Sequence, residues 1–139
     1  MIHTAVFRQQ HEEIKVLVEQ ISSRLDAEQL GKDAEEVRSL VSRLVGKLNV
    51  HLAMEDNVLY ERLSKSSNAE LQALGISFQE KIGGLKDALK SFQTTWPTPA
   101  SVSEKPESFV TDAKEFIEAL LKRVQLEDEE LFAEIEKAS

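Results

Sequence analysis

An all-α, antiparallel up-down-up-down four-helix bundle is the fold that this 139-residue chain predicts, on three observations. Strong helix formers dominate, only five glycines and three prolines occur, and the β-branched alternation of a sheet face is scarce. Four segments carry apolar side chains at alternating steps of three and four, the stripe of a helix packed in a bundle. Most of the connections between these stripes are short and polar, which makes neighbouring helices antiparallel. A chain of this length builds one hydrophobic core, so a single domain over 1–139 is expected.

The first stripe is Phe7, His11, Ile14, Val18, Ile21, Leu25. Its helix is expected from about Thr4 to Leu30, with Gly31 as the residue that stops it. The second stripe is Val37, Val41, Leu44, Leu48, His51, Glu55, Val58. Asp33 with Glu36 three residues on makes a variant capping box at its start, and the helix runs to about Leu63. After the polar connection 64–68, Ser67 with Glu70 repeats the capping pattern. The third stripe is Leu71, Leu74, Phe78, Lys81, Leu85, Ala88, Phe92, ending before Trp96-Pro97, because the residue preceding a proline is pushed out of helical conformation. Gly83-Gly84 inside it costs about 1 kcal/mol per glycine relative to alanine and marks either a kink or an entry gap. Residues 94–106 hold all three prolines and form the one long connection, with Trp96 as a lid on the bundle end. The fourth helix begins between Ser103 and Ser108 and carries Phe109, Ala113, Phe116, Leu120, Arg123, Glu127.

Each stripe is interrupted by polar residues where Leu or Val would be ordinary. The interruptions are His11, His51 with Glu55, Lys81, and Arg123 with Glu127. In an antiparallel pair, residues equidistant from a turn lie at one height. A turn near 31 sets His11 against His51, one near 66 sets His51 against Lys81, and one near 102 sets Lys81 against Arg123. The four positions therefore share a layer, with Glu55 and Glu127 about one turn, roughly 6 Å of rise, away.

Composition excludes several functions. No cysteine occurs, which removes disulfides, thiolate metal sites and cysteine nucleophiles. A net charge of −8 repels nucleic acid and anionic lipid. No apolar run approaches the roughly 18 residues of a membrane span, and Met1-Ile2-His3-Thr4 lacks the basic and apolar regions of a signal peptide, so a cytoplasmic protein, monomer or homodimer, is expected. His3 is read as a terminal residue outside the layer, and the acidic run 127–130 as a solvated face apart from Glu127. No nucleophile can be placed beside an orienting base, so an enzyme is not expected. Histidine phosphotransfer needs an exposed imidazole, whereas His51 lies on the seam. A ferritin-like oxidase needs Glu-x-x-His, which is absent.

Two buried carboxylates need a metal, a basic partner or a proton. His11, His51, Glu55 and Glu127 offer four ligands to one ion such as iron or zinc. Lys81 and Arg123 neutralise the same carboxylates without any metal, through pairs such as Glu55-Arg123 and Glu127-Lys81, and they oppose a second cation.

His11-Glu12-Glu13-Ile14, the segment His51-Leu52-Ala53-Met54-Glu55 through Leu59-Tyr60, and Arg123 through Glu127 to Leu131-Phe132 together resemble hemerythrin-like HHE cation-binding domains. The resemblance covers nearly the whole chain. It implies a four-helix bundle around a di-iron centre, with activities such as oxygen binding, iron or oxygen sensing, or response to nitric oxide. It carries the ligand role to His11, His51, Glu55 and Glu127, and places Lys81 and Arg123 where the third and fourth helices normally supply histidine. The expectation is a reduced site holding no metal or one transition-metal ion rather than a complete di-iron centre. Its role would be binding, sensing or scaffolding, with an unidentified protein partner.

Overall fold

A computed structural model describes residues 2–138. Four long rods make an all-helical bundle. The first is α1 (Thr4–Ser22). The second is α3 (Glu35–Met54), which widens into a π-helical turn at Glu55–Tyr60 and closes as α4 (Glu61–Ser64). The third is α5 (Ala69–Ile82) followed by α6 (Leu85–Thr95). The fourth is α8 (Pro106–Leu126), which widens at Glu127–Leu131 and closes as α9 (Phe132–Ala138). Two short helices, α2 (Ala27–Lys32) and α7 (Pro99–Glu104), pack on each other and on α8 at one end.

Local chemistry moves several expected boundaries. The first helix stops at Ser22, well short of Leu30. Ser23 bonds its hydroxyl back to the Gln20 carbonyl, and Asp26 accepts the Glu28 amide to start α2 afresh. Short polar side chains here compete for the backbone and break the helix. Gly31 then lies inside α2 and ends nothing. Asn68, rather than Ser67, caps α5 by accepting the Glu70 and Leu71 amides at 3.0 and 3.3 Å. Asp33 accepts the amide of Glu35, but α3 starts one residue later than a cap at Asp33 requires, with Ala34 before it, and Glu36 pairs with Arg24 instead of closing a capping box. Pro106 opens α8 inside the expected window, and the long connection itself folds into α7 behind a Thr98–Ser101 capping box. At Gly83-Gly84 the third rod divides into α5 and α6.

The apolar stripes of α1 and α8 face inward as expected, from Phe7 to Ile21 and from Phe109 to Glu127. Those of the other two rods shift by one residue in part. On the third rod Phe78, Leu85 and Phe92 belong to two equally spaced stripes, one adding Leu74, Lys81 and Ala88, the other Gly75, Ile82, Leu89 and Trp96. The bundle buries the second: Leu89 and Trp96 are inside and Ile82 is half-buried, while Lys81 and Ala88 are exposed. Two large apolar groups gain more from burial than an alanine does, and turning Lys81 outward avoids desolvating an ammonium. On the second rod the π-turn adds a residue to the turn, so Leu59 and Tyr60 are buried in place of Val58.

The core is in two parts. A larger apolar cluster runs from Ile14, Leu48 and Leu120 towards Trp96 and Phe109. Trp96 donates its indole N–H to Asp112 at 3.0 Å and meets Phe109 edge-on, closing that end. A smaller cluster of Phe7, Leu59, Tyr60, Leu63, Phe78, Leu131, Phe132 and Ile135 fills the other end. The polar residues lie between them.

Candidate metal centre

Four rods do not contribute equally to the polar layer. His11 comes from α1, His51 from the last turn of α3, and Arg123 from the last turn of α8. Glu55 and Glu127 are each the first residue of a π-turn. These five are buried, from 0% exposure at His11, Glu55 and Glu127 to 6% at Arg123. His11, His51, Glu55 and Glu127 each bring one ligand atom to a cluster in which all four atoms lie within 4.8 Å of one another.

The histidines are already oriented by partners behind them. His11 Nδ1 lies 2.7 Å from Asp128 Oδ1, and His51 Nδ1 lies 2.6 Å from Gln10 Oε1. A carboxylate and an amide oxygen only accept, so each Nδ1 carries a hydrogen and donates it. Both Nε2 atoms then turn to the centre, 3.1 Å apart. His11 Nε2 is 3.2 Å from Glu127 Oε1, and His51 Nε2 is 3.3 Å from Glu55 Oε1. Glu55 Oε2 and Glu127 Oε1 are buried without any hydrogen-bond partner. Lone pairs on four buried atoms converging in this way need a proton or a cation among them. Two imidazoles and two carboxylates, with outer hydrogen bonds fixing the tautomers, match the donor set of a mononuclear transition-metal site.

The hemerythrin HHE cation-binding domain model matches residues 3–135. The chain belongs to the hemerythrin HHE cation-binding family. Comparison with curated proteins and with solved structures returned no match. Among the described residues of this hemerythrin-like domain, no helix is long and apolar enough to cross a membrane.

The second half of the layer is filled differently. Arg123 lays its guanidinium across the centre, donating Nη2–H to Glu55 Oε1 at 2.8 Å and Nη1–H to the Ile82 carbonyl at 3.3 Å. Its Nε stands 3.6 Å from Glu127 Oε2. Lys81, expected in the same layer and paired with Glu127, is exposed on the outer face of α5. Ile82 holds the inward position at that height instead, for the packing reason given above. The partners of Glu127 are therefore His11, Arg123 and Tyr60, whose hydroxyl donates to Oε2 at 2.7 Å. His3 precedes α1 and is exposed, away from the cluster.

These contacts set the protonation of a hemerythrin-like cluster without metal. Burial disfavours a charged His11, but the carboxylates of Glu127, Glu55 and Asp128 beside it overcome that and raise its pKa to about 10. For Glu55, burial is likewise outweighed by the neighbouring His11 and His51, and its carboxyl titrates well below the usual range. Glu127 goes the other way: burial and the neighbouring Glu55 charge push it up to about 7. Burial beside Glu127 also holds the Tyr60 phenol far above its ordinary value. For Arg123, the two carboxylates overcome the desolvation and strengthen its hold on its proton.

Gln10, Asp128 and Tyr60 were not singled out from the sequence. Asp128 sits in an acidic run that reads as surface, although it alone reaches the back of His11. Tyr60 turns inward only because the π-turn changes the phase of its helix. For Gln10 the adjacency to His11 carries no periodic signal.

Proposed function

We propose that this hemerythrin-like domain is a binding protein that holds one divalent transition-metal ion, iron or zinc, through His11, His51, Glu55 and Glu127. Arg123 supplies the positive charge that a second ion would bring. The observation that carries this reading is the pair of Nε2 atoms 3.1 Å apart, each with its Nδ1 already committed to Asp128 or Gln10. Such an ion would act as a Lewis acid and, if iron, as a one-electron centre. The chain's own part is to hold the imidazoles in the ligating tautomer and to exclude water with the aromatic rings of Phe7 and Phe132, which pack on His51 and His11 respectively. A binding or sensing role suits this enclosure better than catalysis, because both imidazoles are buried and their Nδ1 atoms are committed to Asp128 and Gln10.

Elemental analysis of protein purified without chelator tests the reading. One equivalent of iron or zinc is expected, lost in His51→Ala. A second reading rests on the 2.8 Å Arg123–Glu55 pair: the layer has exchanged metal for ion pairs and serves as a scaffold. It predicts no metal at any loading concentration and a stability indifferent to chelator.

A further inference from the structure

A cavity of about 250 Å³ opens between α3, α5, α6 and α8, on the side of the polar layer away from the histidines. Its lining includes Arg123, which is 6% exposed and whose Nη1 meets the Ile82 carbonyl there, while its Nε faces Glu127. Lys86 stands at its mouth and Asp56 at its edge, while Leu52, Ile82 and the Tyr60 ring give it apolar walls. The break at Gly83 borders the opening, and a Cβ at that position would collide with the Gln79 carbonyl oxygen.

We propose that this cavity binds a short-chain monocarboxylate, and binds it more tightly when the neighbouring metal site is filled. A carboxylate head would meet the Arg123 guanidinium on its Nη1 side, beside the Ile82 carbonyl, and face the Lys86 ammonium, and a short alkyl tail would lie against Leu52 and Ile82. Charged hydrogen bonds between a guanidinium and a planar carboxylate are among the strongest available to a protein. Asp56 at the edge selects against dianions such as phosphate or sulfate by like-charge repulsion. The volume suits a small organic anion with some water, since liquid water occupies about 30 Å³ per molecule.

Charge supplies the coupling. A divalent ion together with Arg123 outweighs Glu55 and Glu127 by one positive unit, and Asp128 is matched from outside by Lys15 at 3.5 Å and Arg8 at 3.9 Å. A monoanion in the cavity restores neutrality to a layer otherwise shielded from counterions. The coupling rests on the one-ion reading above; the carboxylate site itself does not.

Propionate titrated into the whole protein, followed by amide chemical shifts with and without one equivalent of zinc, tests this. Saturable shifts are expected at Leu52, Ile82 and Gly83, with propionate bound roughly tenfold more tightly in the zinc form, and zinc affinity raised by the same factor at saturating propionate. Lys86→Glu, at an exposed position, is expected to weaken propionate roughly tenfold while leaving the zinc stoichiometry at one. Absence of saturable shifts in both forms, indifference to Lys86→Glu, or phosphate binding as well as propionate does would overturn the site. Equal propionate affinity in the two forms would overturn the coupling alone. If zinc does not bind, the one-ion reading fails separately, and propionate binding with its Lys86 dependence still decides the cavity.

Discussion

Helix α3 brings His51 and Glu55 into the core four residues apart, widens into a π-turn at Glu55, and then buries Leu59 and Tyr60. Helix α8 repeats the plan with Arg123 and Glu127, a π-turn at Glu127, and Leu131 with Phe132. The backbones are alike; the first residue of each pair is not. Opposite His51, α1 supplies a second imidazole, whereas to Arg123 the third rod offers the carbonyl of Ile82. One half of the layer is thus a set of lone pairs and the other a fixed cation. Two outwardly symmetric scaffolds can present donor atoms on one side and a guanidinium on the other.

Making the halves equal is the largest perturbation. Ile82→His combined with Arg123→His is expected to raise metal content from one equivalent to two, read by elemental analysis, a change on the scale of about 10 kcal/mol for a well-formed zinc site. Lys81→His with Arg123→His should leave it at one, because position 81 faces out. If the two doubles behave alike, the inward assignment of Ile82 is wrong.

Removing the cation is next. In chelated protein, Arg123→Ala is expected to cost about 3–5 kcal/mol in urea unfolding, since it leaves buried carboxylate charge without its partner. A loss below about 1 kcal/mol would mean that the pair with Glu55 contributes little.

A third test is graded. His11 binds its proton more tightly folded than unfolded, so its contribution is complete below about pH 6.5 and is lost as pH rises through about 10. Glu127 has the same sense, its contribution fading between the ordinary carboxylate range and about 7. Glu55 has the opposite sense, and its contribution is lost in acid. Chelated protein should therefore be most stable in mild acid and lose about 1.4 kcal/mol per pH unit between about pH 6.5 and 10, where folded His11 keeps the proton that the unfolded chain has lost. Metal replaces that proton, so loaded protein should show no such decline between pH 7 and 9 in thermal melts.

The smallest effect belongs to Lys81→Ala, expected to lie within about 0.5 kcal/mol of the parent in urea. That result set beside Arg123→Ala separates an exposed lysine from a buried arginine, two residues that the sequence makes look equivalent.

The layer was legible because its polar residues interrupt otherwise regular stripes, and the symmetry of positions about the turns set His11 against His51. Lys81 misled because Phe78, Leu85 and Phe92 fit two stripes, and a three-four count does not choose between neighbours of a shared position. The choice comes from volume: Leu89 and Trp96 fill the core on one reading, Ala88 and Thr95 would fill it on the other. The shift after Glu55 was hidden for another reason. A π-turn has no propensity signature of its own, and the adjacent inward pairs Leu59-Tyr60 and Leu131-Phe132 do not betray it, because regular helix in this chain buries pairs such as Leu44-Val45 and Phe116-Ile117 as well. Where α1 breaks was written in Ser22, Ser23 and Asp26, which outweigh the apolar continuation to Leu25 and Leu30.

The two widened turns also tie sequence length to chemistry. Because each one holds one residue more than an α-turn, loss of a single amino acid between Asp128 and Glu130 would let the turn close as ordinary α-helix with Phe132 and Ile135 still facing in, whereas the same loss in the regular part of α8 would rotate everything beyond it by about 100°. Point substitutions can retune which charges occupy this layer, and the surplus residue of each widened turn leaves room for a one-codon deletion that the regular helix on either side does not have.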